Sequence, residues 1–109
     1  MQTIIELPRF VASAKKLLSA EEMESLKDML ARIPDAGEVM EGTGGFRKLR
    51  LARTGGGKSG GYRVITFFYN ETIPVYLIDV YAKNDKESLT KAQKNALKQI
   101  ADELINYGG

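Results

Sequence analysis

The chain begins with a short apolar, β-branched run, TIIEL at residues 3–7, which predicts a strand. From Pro8 the rhythm changes. Phe10, Ala14, Leu17 and Leu18 recur at helical spacing, and proline is accepted in a first helical turn. Ser19 and Glu22 spell the S-x-x-E capping box of a second helix. Its apolar side would be Met23, Leu26, Leu30 and Ile33, and Pro34 would end it. A hairpin of two helices is expected.

Residues 35–45 are rich in turn formers and read as a loop, after which the period drops to two. In FRKLRLA, Lys48 and Arg50 point one way while Leu49 and Leu51 point the other. YRVITFFY (62–69) and VYLIDVYAK (75–83), joined by a turn at NETIP, are long aromatic and branched runs. They predict the central strands of an antiparallel meander. Thr90 and Gln93 make another capping box, and Leu97, Ile100 and Leu104 form one stripe of a third helix. The expected fold is α+β, in the order β-α-α-β-β-β-α, with a small antiparallel sheet, an N-terminal helical hairpin and a C-terminal helix.

A length of 109 residues allows one modest core, so residues 1–109 are read as a single domain. The chain is 43% hydrophobic and 28% charged, which matches neither disorder nor a membrane protein. The start MQTIIELPRF lacks the basic and long apolar stretches of a signal peptide, so a cytoplasmic protein without a membrane partner is expected. Cysteine and histidine are both absent. Disulfides, thiolate metal sites and cysteine nucleophiles are thereby excluded, as is the usual general base near neutral pH. Any chemistry falls to Lys, Arg, Tyr, Ser, Thr or carboxylates, and neither metal nor cofactor is expected.

The net charge of +2 hides an uneven distribution. Residues 41–70 hold Arg47, Lys48, Arg50, Arg53, Lys58 and Arg63 against Glu41 alone, a net of +5 that leaves −3 for the rest. Such a block suggests a localised anionic partner, of which phosphate is the leading case. Within it, ARTGGGKS (52–59) approaches the phosphate-binding pattern G-x-x-x-x-G-K-[ST], with Ala52 in place of the first glycine. That loop must open a helix, whereas GGYRVITFFY continues as a strand. The glycines therefore form a hairpin tip able to approach another backbone closely, with Lys58 held on it.

The run GTGGFRKLRLARTGGGKSGGYRVITFFY, then VYLIDVYAKNDK and a terminal helix, resembles the RelE/HigB superfamily of bacterial toxins from toxin–antitoxin modules. It is most similar to the HigB-like branch, through its GTGG-x-RK-x-R segment, glycine loop, GG-x-R strand start and Y-x-KN strand end. The resemblance covers nearly the whole chain. It implies a fold of the microbial-ribonuclease type and cleavage of mRNA on the translating ribosome, without metal. It also implies a cognate antitoxin, a helix-turn-helix protein of HigA type, through which the toxin meets operator DNA.

RNA cleavage by the neighbouring 2′-hydroxyl requires removal of its proton, stabilisation of a pentavalent phosphate and protonation of the leaving oxygen. Arginine suits the second task because its planar fork pairs with two phosphate oxygens and stays charged. By resemblance, Arg63 stabilises phosphate, Lys48 and Arg50 bind substrate and charge, and Lys83 serves as acid, base or phosphate contact. Lys58, Arg47, Arg53 and Lys86 would contact RNA or the ribosome. The tyrosine that RelE toxins carry after the last strand is missing from KNDKESLT, leaving Lys83, Lys86, Tyr81 and Asp85 open as the base. Two non-catalytic alternatives stand beside this reading. One is a ParE-like gyrase-binding toxin; the other is an RNA-binding module that stacks bases on Tyr62, Phe68 or Tyr69.

Overall fold

The computed structural model describes residues 3–52, 61–82 and 91–108. Its elements are β1 (Ile4–Glu6), α1 (Pro8–Leu17), α2 (Ala20–Arg32), β2 (Glu38–Val39), β3 (Phe46–Leu51), β4 (Tyr62–Phe67), β5 (Val75–Ala82) and α3 (Lys91–Gly108). The strands form one sheet in the order β1-β5-β4-β3-β2.

Strands β3, β4 and β5 make the antiparallel meander that their alternation predicts. The sheet as a whole is mixed, because β1 runs parallel to β5 with Ile4 beside Val75. A strand that leads at once into a helix cannot fold back as a hairpin. It pairs instead with a strand reached after a long crossover. The loop expected at 35–45 contains the two-residue strand β2, antiparallel to β3 with Glu38 beside Lys48 and Val39 beside Arg47.

The sheet carries a core on each face. Phe10 and Ala14 of α1 and Leu26 and Leu30 of α2 bury against Leu49, Leu51, Val64, Val75 and Leu77. On the other face Ala101 packs on Phe46, Ile65 and Phe67, flanked by Leu97, Leu104 and Ile105 of α3. Each fully buried leucine or phenylalanine here contributes about 1.5–3 kcal/mol of transfer free energy. The capping box forms as the sequence indicates. Glu22 N donates to Ser19 Oγ at 3.1 Å, and Ser19 N donates to Glu22 Oε1 at 2.8 Å.

Two apolar residues assigned to helix stripes lie at the surface. Ile33 is 53% exposed because it caps α2 rather than continuing it; a residue before proline is pushed out of the helical region. Ile100 is also exposed, since the buried stripe of α3 runs through Leu97, Ala101 and Leu104, with Ile100 one residue off its centre. The turn between β4 and β5 is closed by Asn70, whose Oδ1 accepts from Thr72 N, Thr72 Oγ1 and Ile73 N at 2.9, 2.7 and 3.0 Å. The capping box at Thr90 lies outside the described residues.

Candidate functional site

Strand register brings the central cations together. Phe46, Lys48 and Arg50 share one face of β3 and stand beside Phe67, Ile65 and Arg63 of β4. Phe46, Ile65 and Phe67 lie in the core under α3, so Lys48, Arg50 and Arg63 continue that same face beyond it. On the outer strands, Glu38 of β2 sits opposite Lys48 and Tyr81 of β5 sits opposite Arg63. Gly37, Glu38, Lys48, Arg50 and Arg63 line a cleft of about 550 Å³.

Arg50 and Arg63 are direct cross-strand neighbours, a placement that brings Cβ atoms to roughly 5 Å and destabilises a sheet when the charges are alike. Three cations outside the cleft are paired: Arg9 with Asp79 at 3.2 Å, Lys27 with Glu6 at 2.8 Å and Arg32 with Asp28 at 3.0 Å. Among the described residues, Lys48, Arg50, Arg63 and Glu38 form no ion pair. Among the described residues the cleft therefore holds three cations against the single carboxylate of Glu38, and such an excess of positive charge is the electrostatic requirement of a phosphate site.

Gly37 explains how β2 comes so near. Its φ is +99°, and a Cβ there would stand 2.8 Å from the carbonyl oxygen of Lys48. Only glycine permits that approach without strain. Gly37 and Glu38 are the cleft residues that the sequence did not single out. A two-residue strand has no period to detect, and the one available signal was a carboxylate next to a glycine just past a helix stop.

Tyr81 is half-buried beside Arg63. Burial raises its phenol above the ordinary value of 10; Arg63 pulls it down and Asp79 pushes it up. Near neutral pH it is a protonated hydrogen-bond donor. Asp79 serves α1: its carboxylate accepts from Arg9 Nε at 3.2 Å and Ser13 Oγ at 3.1 Å, and also from Val80 N at 2.9 Å.

Arg47 is separated from this group. It shares the parity of Leu49, lies opposite Thr66 rather than Ile65, and donates from Nη1 to Asp35 O at 3.1 Å. Of the other residues singled out, Arg53, Lys58, Lys83, Asp85 and Lys86 lie outside the described residues. The three proposed stacking aromatics do not make a platform at the cleft. Tyr62 is buried, Phe68 packs against the core under α1 and α2, and exposed Tyr69 follows the far end of β4, about 20 Å along the strand from Arg63. Among the described residues, no cluster of acidic side chains could hold a metal ion, and no helix is long and apolar enough to cross a membrane.

Residues 11–108 match the family model described as the RelE toxin of the RelE / RelB toxin-antitoxin system. The chain belongs to the RelE toxin family. The match takes in α1 from Val11 onward, α2 and every strand of the cleft, together with α3. This RelE-family protein is accordingly the toxin of a toxin–antitoxin module, and its partner is a cognate antitoxin. Toxins of this family are generally mRNA endoribonucleases.

Proposed function

We propose that this toxin is an endoribonuclease that inhibits translation by cutting mRNA on the ribosome, without a metal ion. The observation that carries the reading is the facing pair Arg50 and Arg63, with Lys48 beside them, in an open cleft where, among the described residues, no carboxylate forms an ion pair with them. A scissile phosphate relieves that repulsion. Its charge grows as the 2′-oxygen attacks, so fixed cations bind the transition state more tightly than the ground state.

Arg63 lies centrally, between Arg50 and Tyr81, and takes the phosphate undergoing attack. Lys48 and Arg50 hold the substrate strand, and the protonated Tyr81 phenol donates to a phosphate oxygen. By resemblance, Lys83 adds an acid or a phosphate contact, while Arg53, Lys58 and Lys86 reach RNA or the ribosome. The GTGG-x-RK-x-R and Y-x-KN segments support the HigB-like branch, and with it a helix-turn-helix antitoxin that links the toxin to operator DNA.

Primer extension on a reporter mRNA in a cell-free bacterial translation reaction tests the reading, with wild type compared against Arg63→Ala. The expected result is new 5′ ends that require both ribosomes and Arg63. Intact mRNA with a folded wild-type toxin overturns it and directs attention to gyrase binding or simple RNA binding.

A further inference from the structure

A cleft built only of cations binds RNA but has nothing to take the 2′-hydroxyl proton. Glu38 is the one carboxylate among the described residues that line it, and its pairing with Lys48 sets it on the face that carries Arg50 and Arg63. Structural work does not account for it. Glu38 is exposed and forms neither an ion pair nor a side-chain hydrogen bond among the described residues. Its negative charge also opposes phosphate binding, so as a binding element it is counterproductive. Meanwhile Gly37 lets the backbone of β2 press against that of β3 where a Cβ would be only 2.8 Å from Lys48 O, which holds Glu38 at the cleft wall.

We infer that Glu38 is the general base of this site, accepting the proton of the attacking 2′-hydroxyl; the inference rests on the endoribonuclease reading above. As the 2′-oxygen bonds to phosphorus its proton passes to the Glu38 carboxylate, and the bond from phosphorus to the 5′-oxygen breaks. The leaving oxygen takes a proton from water, and the hydroxide so formed is neutralised by the proton on Glu38. The products are a 2′,3′-cyclic phosphate and a 5′-hydroxyl. Among the described residues, the charged groups facing Glu38 across the cleft are Lys48, Arg50 and Arg63. Bound phosphate engages these cations and leaves the carboxylate available as an acceptor. Tyr81, kept protonated by burial, does not compete for the role.

The test is single-turnover cleavage of mRNA on programmed ribosomes by wild type, Glu38→Gln and Glu38→Asp, with ribosome affinity measured in parallel. Glu38→Gln is expected to lower the cleavage rate about 100-fold or more, with affinity unchanged or increased, and to lose the acidic limb of the pH–rate profile. Glu38→Asp, with a shorter carboxylate, is expected to keep that limb at a reduced rate. A wild type that does not cut RNA sinks the endoribonuclease reading itself. A wild type that cuts while Glu38→Gln cuts equally well, or loses rate only through affinity, overturns the assignment of the base alone. Matched circular dichroism melts establish that each variant is folded.

Discussion

Replacing Gly37 with alanine adds a methyl group where the backbone of β3 already stands. The new Cβ would lie 2.8 Å from Lys48 O and 3.1 Å from its carbonyl carbon, atoms that cannot rotate away. The backbone at Gly37 is also left-handed, with φ at +99°, a conformation that costs an L-residue about 1–2 kcal/mol. The least costly relief is for β2 to lift off β3, which bounds the penalty. What is lost is a two-residue ladder and the bond from Met40 N to Phe46 O at 2.8 Å. With each backbone hydrogen bond contributing about 1 kcal/mol net, the total is about 2–3 kcal/mol. For a domain of this size that lowers Tm by about 8–12 °C, read in a circular dichroism melt. Hydrogen exchange at the Met40 amide should accelerate while the amides of β4 and β5 stay protected. A Tm within about 2 °C of wild type, with Met40 still protected, would refute the claim that Gly37 is required for this close approach.

Two further outcomes follow from the same structure. Asp79→Ala removes the acceptor of Arg9, Ser13 and the Val80 amide and should destabilise by about 2–3 kcal/mol in urea unfolding, whereas Arg9→Ala should cost under about 1 kcal/mol because the arginine side chain is 72% exposed. Tyr81 gives an alkaline signature: its phenol is raised by burial in the folded state, so its contribution is complete below the ordinary value of 10 and is lost as pH rises through the higher folded value. Tyr81→Phe should therefore show a smaller fall in urea midpoint between about pH 9 and about pH 11 than wild type, and an identical fall would contradict the shift.

Much of the fold is legible in the sequence where local chemistry decides it. Ser19 and Glu22 name a helix start because each satisfies the other's backbone donor, and the alternation of Lys48 and Arg50 with Leu49 and Leu51 names the faces of β3. The same alternation puts Arg47 with Leu49 and Leu51, a parity that grouping Arg47 with the RNA contacts overlooked. What escapes is set by pairing between distant segments. The parallel seat of β1 beside β5 depends on partners 71 residues away, and the existence of β2 on partners 8 and 10 residues away. Glu38 is hidden for that reason: it belongs to the cleft only because β2 pairs with β3. Arg50, Arg63 and Tyr81 were within reach because each sits on a long strand whose parity is plain, although their register across strands appears only in the folded sheet.

An mRNA carrying a single 2′-deoxy nucleotide on the 5′ side of the mapped cut, loaded on programmed ribosomes, tests the central claim most directly. Internal attack in the cationic cleft has no nucleophile in such a substrate. The toxin should bind it, leave it uncut, and cut the all-ribose control to a 2′,3′-cyclic phosphate. Cleavage of the deoxy substrate at the same position would contradict a metal-independent, 2′-hydroxyl mechanism at Lys48, Arg50 and Arg63.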